Sequence, residues 1–320
     1  MKLDELDRRI VGALQVDGRA SWRRIAEVLD ASFSTVTRRG TALLASGAVR
    51  VVALPRYSQT AIIEVTTVPQ RFDAVARALS ARTDTVFVFA LSAPARIIVE
   101  ELQPSEGALA RAVLDEIPAI EGVTGVNAAP ILAYYRTLST WMPDLITPAE
   151  VAELNPGFGH LYDDAVPLTT PADREIYEIL APDGRVSVAD IADRVGQSEP
   201  AVRRRLTVLV DTKIDIRAVV SPHLLGLDVA AIVWIRVAPK DIERVAEQIL
   251  ASPWVRYAAM TMGDHQLIVD VAVPTLDDLR RFLTEQPWSA SVDSVRTSPV
   301  LAAYKRSGLP AEERSTFEPK

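Results

Sequence analysis

The 320-residue sequence contains no cysteine. Disulfides, thiolate metal sites and cysteine nucleophiles are thereby excluded, and a reducing compartment suits the chain. Histidine is scarce too. The three present, His160, His223 and His265, fall at unrelated places. No phosphate loop, metal cluster or nucleophile triad stands out, and Asp17-Gly18 and Asp183-Gly184 lack the further carboxylates of a calcium loop. No cofactor is expected. No apolar run approaches the roughly 20 residues of a membrane span. The charged start, Met1-Lys2-Leu3-Asp4-Glu5, is unlike a signal peptide. A cytoplasmic protein with no membrane partner is the expectation.

What is present is present twice. Asp7, Ile10, Leu14, Asp17-Gly18-Arg19, Ser21, Ile25-Ala26, Ser32, Val36, Arg38-Arg39 and Leu43 recur as Asp173, Ile176, Leu180, Asp183-Gly184-Arg185, Ser187, Ile191-Ala192, Ser198, Val202, Arg204-Arg205 and Leu209. The offset is 166 throughout, from Asp7 to Asp173. Each copy is followed by a second, more divergent repeat of about 80 residues. A chain with two copies of a two-domain unit behaves as a covalent dimer. The net charge of −7 is unevenly spread. Residues 1–54 carry nine Lys/Arg and six Asp/Glu, whereas 139–168 carry five acids and no Lys or Arg. Residues 168–220 carry eight basic and nine acidic residues. One module is therefore basic and its copy is not, which matters more for a polyanionic partner than the sum.

Leu6, Ile10 and Leu14 fall at helical spacing, Asp17-Gly18-Arg19 stops that helix, and Gly18 can take a positive φ. Ser21 caps a second helix and Ser32 a third, with Val36, Leu43 and Leu44 inward. Three short helices with a tight turn between the last two predict a helix-turn-helix over 1–55, followed by an extended segment at Val49–Leu54. The copy spans 168–220, with Ser187 and Asp190 as a capping box. Residues 60–138 and 228–306 each read β-α-β-β-α-β. That order predicts a four-stranded antiparallel sheet with both helices on one face. The other face needs a cover, and a second copy is the obvious one. Residues 139–167, with Pro143, Pro148, Pro156, Gly157 and Gly159, read as a linker with a helical turn at Ala149–Leu154. Residues 307–320 read as a loose tail. The expected fold class is α+β, with two winged-helix or helix-turn-helix domains and two ferredoxin-like sandwiches in a pseudo-dimer.

The segments Leu3-Asp4-Glu5-Leu6-Asp7 and Leu14-Gln15-Val16-Asp17-Gly18-Arg19-Ala20-Ser21, then Arg39 and an α/β sandwich, resemble the Lrp/AsnC family of transcriptional regulators. Asp183-Gly184-Arg185-Val186-Ser187, Val202 and Arg205 repeat the resemblance. Met262-Gly263-Asp264-His265-Gln266-Leu267 is similar to the family's ligand-sensing (RAM-type) domain. The resemblance implies promoter or operator DNA and a small-molecule effector, an amino acid or a relative, as partners. It also implies homo-oligomers, here built from intrachain pseudo-dimers, and no enzymatic activity.

A recognition helix enters the major groove by its N-terminal half. The candidates are Ser32, Phe33, Ser34, Thr35, Thr37 and Arg38 in the first copy, and Ser198, Glu199, Arg203 and Arg204 in the second. Differing helices should read differing half-sites, an asymmetric operator. Arg19 and Arg185, at the turn, are candidates for the DNA backbone. Arg39 and Arg205 each follow a core valine by three residues, so ion pairs with Asp7 and Asp173 compete with phosphate contact. Gly40 stands where the copy has Leu206, an expected loss of core packing worth roughly 1 kcal/mol in helix propensity. In the α/β repeats, Gly263, Asp264 and His265 form a loop that reads either as a ligand site or as a plain hairpin turn. The resemblance adds Thr297 as a ligand contact. Ser92-Ala93-Pro94 and Ala128, the first-half counterparts, offer no such groups, so only the second half is expected to keep a pocket.

Two other readings stand beside this one. The fused double unit also resembles siroheme decarboxylases of haem biosynthesis, although no His-rich or Tyr-Arg cluster marks either sheet domain. An interaction protein with decayed DNA binding would explain the weak charge of the second module.

Overall fold

A computed structural model describes residues 3–56, 59–159, 168 and 170–314. The first repeat runs α1 (Glu5–Val16), α2 (Trp22–Val28), α3 (Phe33–Ala45), β1 (Val49–Pro55), β2 (Gln59–Thr67), α4 (Phe72–Ala81), β3 (Thr85–Leu91), β4 (Arg96–Gln103), α5 (Glu106–Arg111) and β5 (Val123–Arg136). After α6 (Pro148–Leu154) the second repeat runs α7 (Pro171–Leu180), α8 (Val188–Val195), α9 (Glu199–Thr212), β6 (Ile214–Val220), β7 (Val229–Arg236), α10 (Ile242–Leu250), β8 (Val255–Thr261), β9 (Leu267–Val273), α11 (Leu276–Thr284), β10 (Ser294–Arg306) and β11 (Leu309–Arg314). The chain divides into two compact units, and each takes a part from both repeats. One comprises Met1–Tyr57 and Ser139–Leu225, the other Ser58–Leu138 and Gly226–Lys320.

The first unit holds both three-helix modules. Asp4 and Asp7 close a capping box on α1, and the Ser21 and Ser187 hydroxyls accept from Arg24 N and Asp190 N to start α2 and α8. The Ser187 hydroxyl donates in turn to the Asp190 carboxylate at 2.7 Å. Ile10, Leu14, Ile25 and Val36 are buried in the first module, and Ile176, Leu180, Ile191 and Val202 in the second. The turn before each third helix needs one left-handed residue. Gly196 supplies it in the second copy, at φ 65°, and Asp30 in the first, at φ 48°. β1 and β6 pair antiparallel from Val49↔Val220 to Pro55↔Ile214, so the two modules share one sheet. Gly18 and Gly184 do not take positive φ. They are needed for closeness instead: a Cβ on either would lie 2.9 Å from Val51 Cγ1 or Ile216 Cγ2, respectively.

Three further expectations are corrected. Gly40 loses no packing, because Trp22 fills the space; a Cβ there would lie 2.3 Å from the Trp22 ring. In the second copy Val188 and Leu206 stand at these two places, both within that module's core. The segment after Thr140 is no free tether. Trp141, Leu145 and Ile146 are buried, the last two against Gly12, while Glu150 of α6 pairs with Arg9 at 2.5 Å. Residues 160–167 of the expected linker lie outside the described residues. The tail begins as a strand: β11 pairs with β10, as in Arg306↔Leu309, and only 315–320 of it lie outside the described residues.

The second unit is built from the two β-α-β-β-α-β repeats. β5 pairs with β2 through Pro130 and with β8 from Ile131 onward. β10 pairs with β7 through Pro299 and with β3 from Val300 onward. The two long strands thus join the sheets at both ends, and eight strands close on themselves in the order β10-β3-β4-β2-β5-β8-β9-β7, with β7 returning to β10. Inside lie Phe87, Phe89, Ile98, Trp234, Tyr257 and Ile268, with Phe87 and Phe89 stacked at 4.7 Å. Each outer sheet face packs on its own helices. The face left bare in one repeat is therefore covered by the other. Among the described residues no helix is long and apolar enough to cross a membrane.

At the foot of β4, Glu101 is fully buried beside Asp84, with Arg82 and Gln103 donating to it at 2.9 Å each. Burial, with Asp84 close by, pushes its carboxyl up to about 7 against the pull of Arg82. The folded state then holds this proton more tightly than the unfolded chain does, so the stability it contributes is full below the ordinary carboxylate range and is lost as pH rises through about 7. Melting curves from pH 5 to 8 should therefore show a decline that Glu101→Gln flattens; parallel profiles would contradict the assignment. For the helix modules, Gly40→Ala should cost about 1–2 kcal/mol by overpacking against Trp22. Gly40→Leu with Trp22→Val, copying the second module, should recover most of that loss in urea denaturation. Simple additivity of the two changes would refute the volume exchange.

Candidate DNA-reading helices and ligand cavity

The recognition helices present unlike surfaces. On α3, Phe33, Ser34 and Arg38 are exposed, Thr35 and Thr37 half-buried. Arg23 lies over the Phe33 ring at 5.3 Å. On α9, Glu199, Arg203 and Arg204 are exposed, with Arg203 and Glu199 4.0 Å apart along the helix. Ser32 and Ser198 occupy the N-cap positions, yet neither hydroxyl caps its helix; Ser32 Oγ lies 3.0 Å from Ser34 Oγ instead. Exposed hydroxyls and guanidiniums at a helix start can bond phosphates or base edges. Arg38 and Arg204 stand at equivalent places, and α9 adds Arg203 where α3 has Thr37.

Arg19 and Arg185 do something else. Arg19 donates to the Gly184 and Val186 carbonyls, the latter at 3.0 Å. Arg185 returns the exchange, donating to Gly18 O at 2.6 Å and Ala20 O at 3.0 Å. Burial lowers both guanidinium pKa values, and the charge of Arg19 lowers that of Arg185 further. Arg185 also lies over the Trp22 ring at 4.6 Å. Each directs both terminal nitrogens at the other module's turn, so where a contact with the DNA backbone is expected the structure shows a reciprocal brace. Arg39 binds Asp4 and Asp7, the latter at 3.0 Å, and Arg205 binds Asp173 at 2.9 Å, where Lys213 joins at 2.7 Å. Burial would raise the Asp173 carboxyl, but Lys213, Arg205 and Thr170 hold it below its ordinary range. Of the two readings for these arginines, the geometry carries the ion pair.

The α/β unit contains a cavity of about 410 Å3. Gly263, Asp264 and His265 line it, and the loop needs glycine at 263, where φ is 108°. Thr297 does not line it. Side chains alternate along β10, so Arg296 faces the cavity and Thr297 the other way. Nor does the cavity belong to the second half alone. Glu64, Arg96, Asn127, Ala128 and Ala129 come from the first repeat. Glu64 is buried between two guanidiniums, with Arg96 Nη1 3.1 Å and Arg296 Nη2 2.7 Å away. Arg296 stacks on Trp234 at 3.8 Å. Burial, with Arg296 and Arg236 nearby, lowers the His265 pKa, which keeps the imidazole neutral at pH 7. A signal for Glu64 existed: it is the one charged residue in the apolar strand segment Ala61–Val65. Nothing local pointed to Arg96 or Arg296.

Comparison with known proteins agrees with this architecture. The AsnC-type helix-turn-helix domain matches residues 3–44 and again 171–209, and the Lrp/AsnC ligand binding domain matches 230–310. The HTH-type transcriptional regulator LrpA of Pyrococcus horikoshii is 30% identical over 118 residues, 36% of this chain and 82% of LrpA. The proline dehydrogenase transcriptional activator of Rhizobium radiobacter is 30% identical over 143 residues, 43% of this chain and 92% of the activator. The crystal structure of the siroheme decarboxylase NirDL superposes with a TM-score of 0.62, covering 98% of this chain and 95% of that one at 14% identity, which is a likeness of fold. The modules and their order define a helix-turn-helix protein with a ligand-binding α/β domain. The chain belongs to the Lrp/AsnC family, with the family's two-domain unit present twice.

The brace makes a prediction. Arg19→Ala should strip two carbonyls of their donors and cost about 1–3 kcal/mol in urea denaturation. It should leave the salt dependence of DNA binding unchanged, because no phosphate contact is lost. A fall of one counter-ion in that dependence, with stability intact, would restore Arg19 as a DNA contact.

Proposed function

We propose that the chain is a sequence-specific DNA-binding transcriptional regulator, not an enzyme. In this reading α3 and α9 read the two halves of one asymmetric operator, and an amino acid or related small molecule acts as effector in the α/β unit. The observation that carries it is the pair of recognition helices with unlike exposed residues, held in one compact unit by β1–β6 pairing and the Arg19–Arg185 exchange. The regulators named among the relatives support it. A promoter site has no need of palindromy when its two readers differ. Leu132 and Leu301, exposed at matching places on β5 and β10, support further association of these pseudo-dimers into a homo-oligomer.

The fold shared with NirDL favours one alternative, an enzyme acting on a tetrapyrrole. A porphyrin-like absorption band in the purified protein would support it.

Genomic footprinting with and without an amino-acid panel tests the proposal. The half-sites should differ in sequence and lie about 34 Å apart, or a multiple of that. Arg38→Gln and Arg204→Gln should each lower the salt slope of binding by about 1, and each should relax a different half-site. A strict palindrome, equally sensitive in both halves, would overturn the asymmetric reading. Binding to no DNA would overturn the function, and a monomer in sedimentation velocity the association.

A further inference from the structure

We propose that the cavity of the α/β unit is a carboxylate site assembled from both repeats, in which Arg96 and Arg296 hold the carboxylate of a small monocarboxylate ligand and Glu64 is the built-in counter-ion with which that ligand competes. The proposal rests on the effector reading above and deepens it.

The argument begins with Glu64. A carboxylate buried at 7% exposure is costly unless cations surround it. Two do, but each through a single oxygen: Oε2 toward Arg96 and Oε1 toward Arg296. Neither guanidinium is used as the two-pronged fork that carboxylates fit best. The Nε of Arg96 and of Arg296 are both buried and reach no hydrogen-bond partner among the described residues. A buried donor without an acceptor is an expense that a fold tolerates where something else is to be bound. The lining as a whole is neutral, with Glu64 and Asp264 against Arg96 and Arg296. Around Glu64, though, two guanidiniums share one carboxylate, and a ligand carboxylate would supply further acceptors.

The remaining lining sets the ligand's other end. Ile62, Ala128, Ala129, Met262 and Ile268 are apolar. Asp264 lies in the same lining and is suited to an ammonium group. The cavity's volume is in the range of small-molecule sites. Arg296 is pre-oriented by its stack on Trp234, so binding need not order it.

The site has one orientation because the repeats differ at matching ladder positions. Ile63 opposes Val99 and Ala128, while Val233 opposes Val269 and Thr297. Glu64 therefore corresponds to Trp234, and Asn127 to Arg296. At the opposite, related place the loop after β3 is tied down on β10: Ser298 Oγ donates to Ala93 O at 3.1 Å, and Ser92 N to Pro299 O. The duplication thus gives this cavity Glu64 and Arg96 from the first repeat and Arg296 from the second.

Calorimetry on the full chain tests this, with the common L-amino acids, their 2-oxo acids and L-amino acid amides as probes. Carboxylate-bearing probes should bind, and the amide of the tightest binder should not. Arg296→Gln should weaken binding at least about tenfold, the loss expected for one charge-assisted hydrogen bond. Glu64→Gln should strengthen it. Since Arg296→Gln alone exposes Glu64 to a destabilising imbalance, the double variant Glu64→Gln/Arg296→Gln keeps the charge balanced. It should still bind at least about tenfold more weakly than Glu64→Gln. Tight binding of 2-oxo acids over amino acids would assign the ligand as a simple carboxylate, and the reverse would assign Asp264 to an ammonium. Equal binding of acid and amide, unchanged affinity in the arginine variants, or no binding by any carboxylate overturns the site. An effector that shifts the footprint equally in wild type and variants overturns the site and leaves the regulator reading standing. Loss of the footprint itself, with ligand binding intact, does the opposite.

Discussion

A four-stranded sheet with both helices on one side has a second apolar face that water must not reach. Everything in the α/β unit follows from that constraint. Each repeat covers the other's bare face, and the aromatic cluster of Phe87, Phe89, Trp234 and Tyr257 lies between them. β5 and β10 are long enough to leave one sheet and enter the other, which removes the free edges at those seams. The cavity is a by-product of the same closure. It lies where the wall of one repeat meets the loop of the other, so neither repeat alone could form it.

The helix-turn-helix unit solves a similar problem with polar groups. Its modules are too small to bury much apolar surface. They are joined by strand pairing and by two arginines that each satisfy carbonyls of the other module's turn. An equal exchange of this kind requires the two turns to match, which explains why Asp-Gly-Arg is among the best preserved parts of the repeat. The recognition helices carry no such requirement, and there the copies have diverged.

Much of this was legible in the chain. Helical periodicity, caps and the 166-residue recurrence place the modules and their helices, since these depend on near neighbours. The pairs Asp7–Arg39 and Asp173–Arg205 were also within reach, because both members face a local core and recur together. Other features were not. Arg19 finds its partners, the Gly184 and Val186 carbonyls, only in the other module. Gly40 reads as a defect until Trp22 is seen above it. Thr297 and Arg296 differ by one position on a strand, and one position exchanges the two faces.

The amino-acid order alone therefore determined the family, the duplication, the element types and the inequality of the two recognition helices, all of which are written in local pattern. Tertiary structure decided which groups are free to meet a ligand or DNA. Availability depends on what stands across the interface: Arg19 and Arg185 are engaged by each other's turns, while Glu64, Arg96 and Arg296, scattered over more than 230 residues of chain, are brought to one cavity by the closing of the sheet.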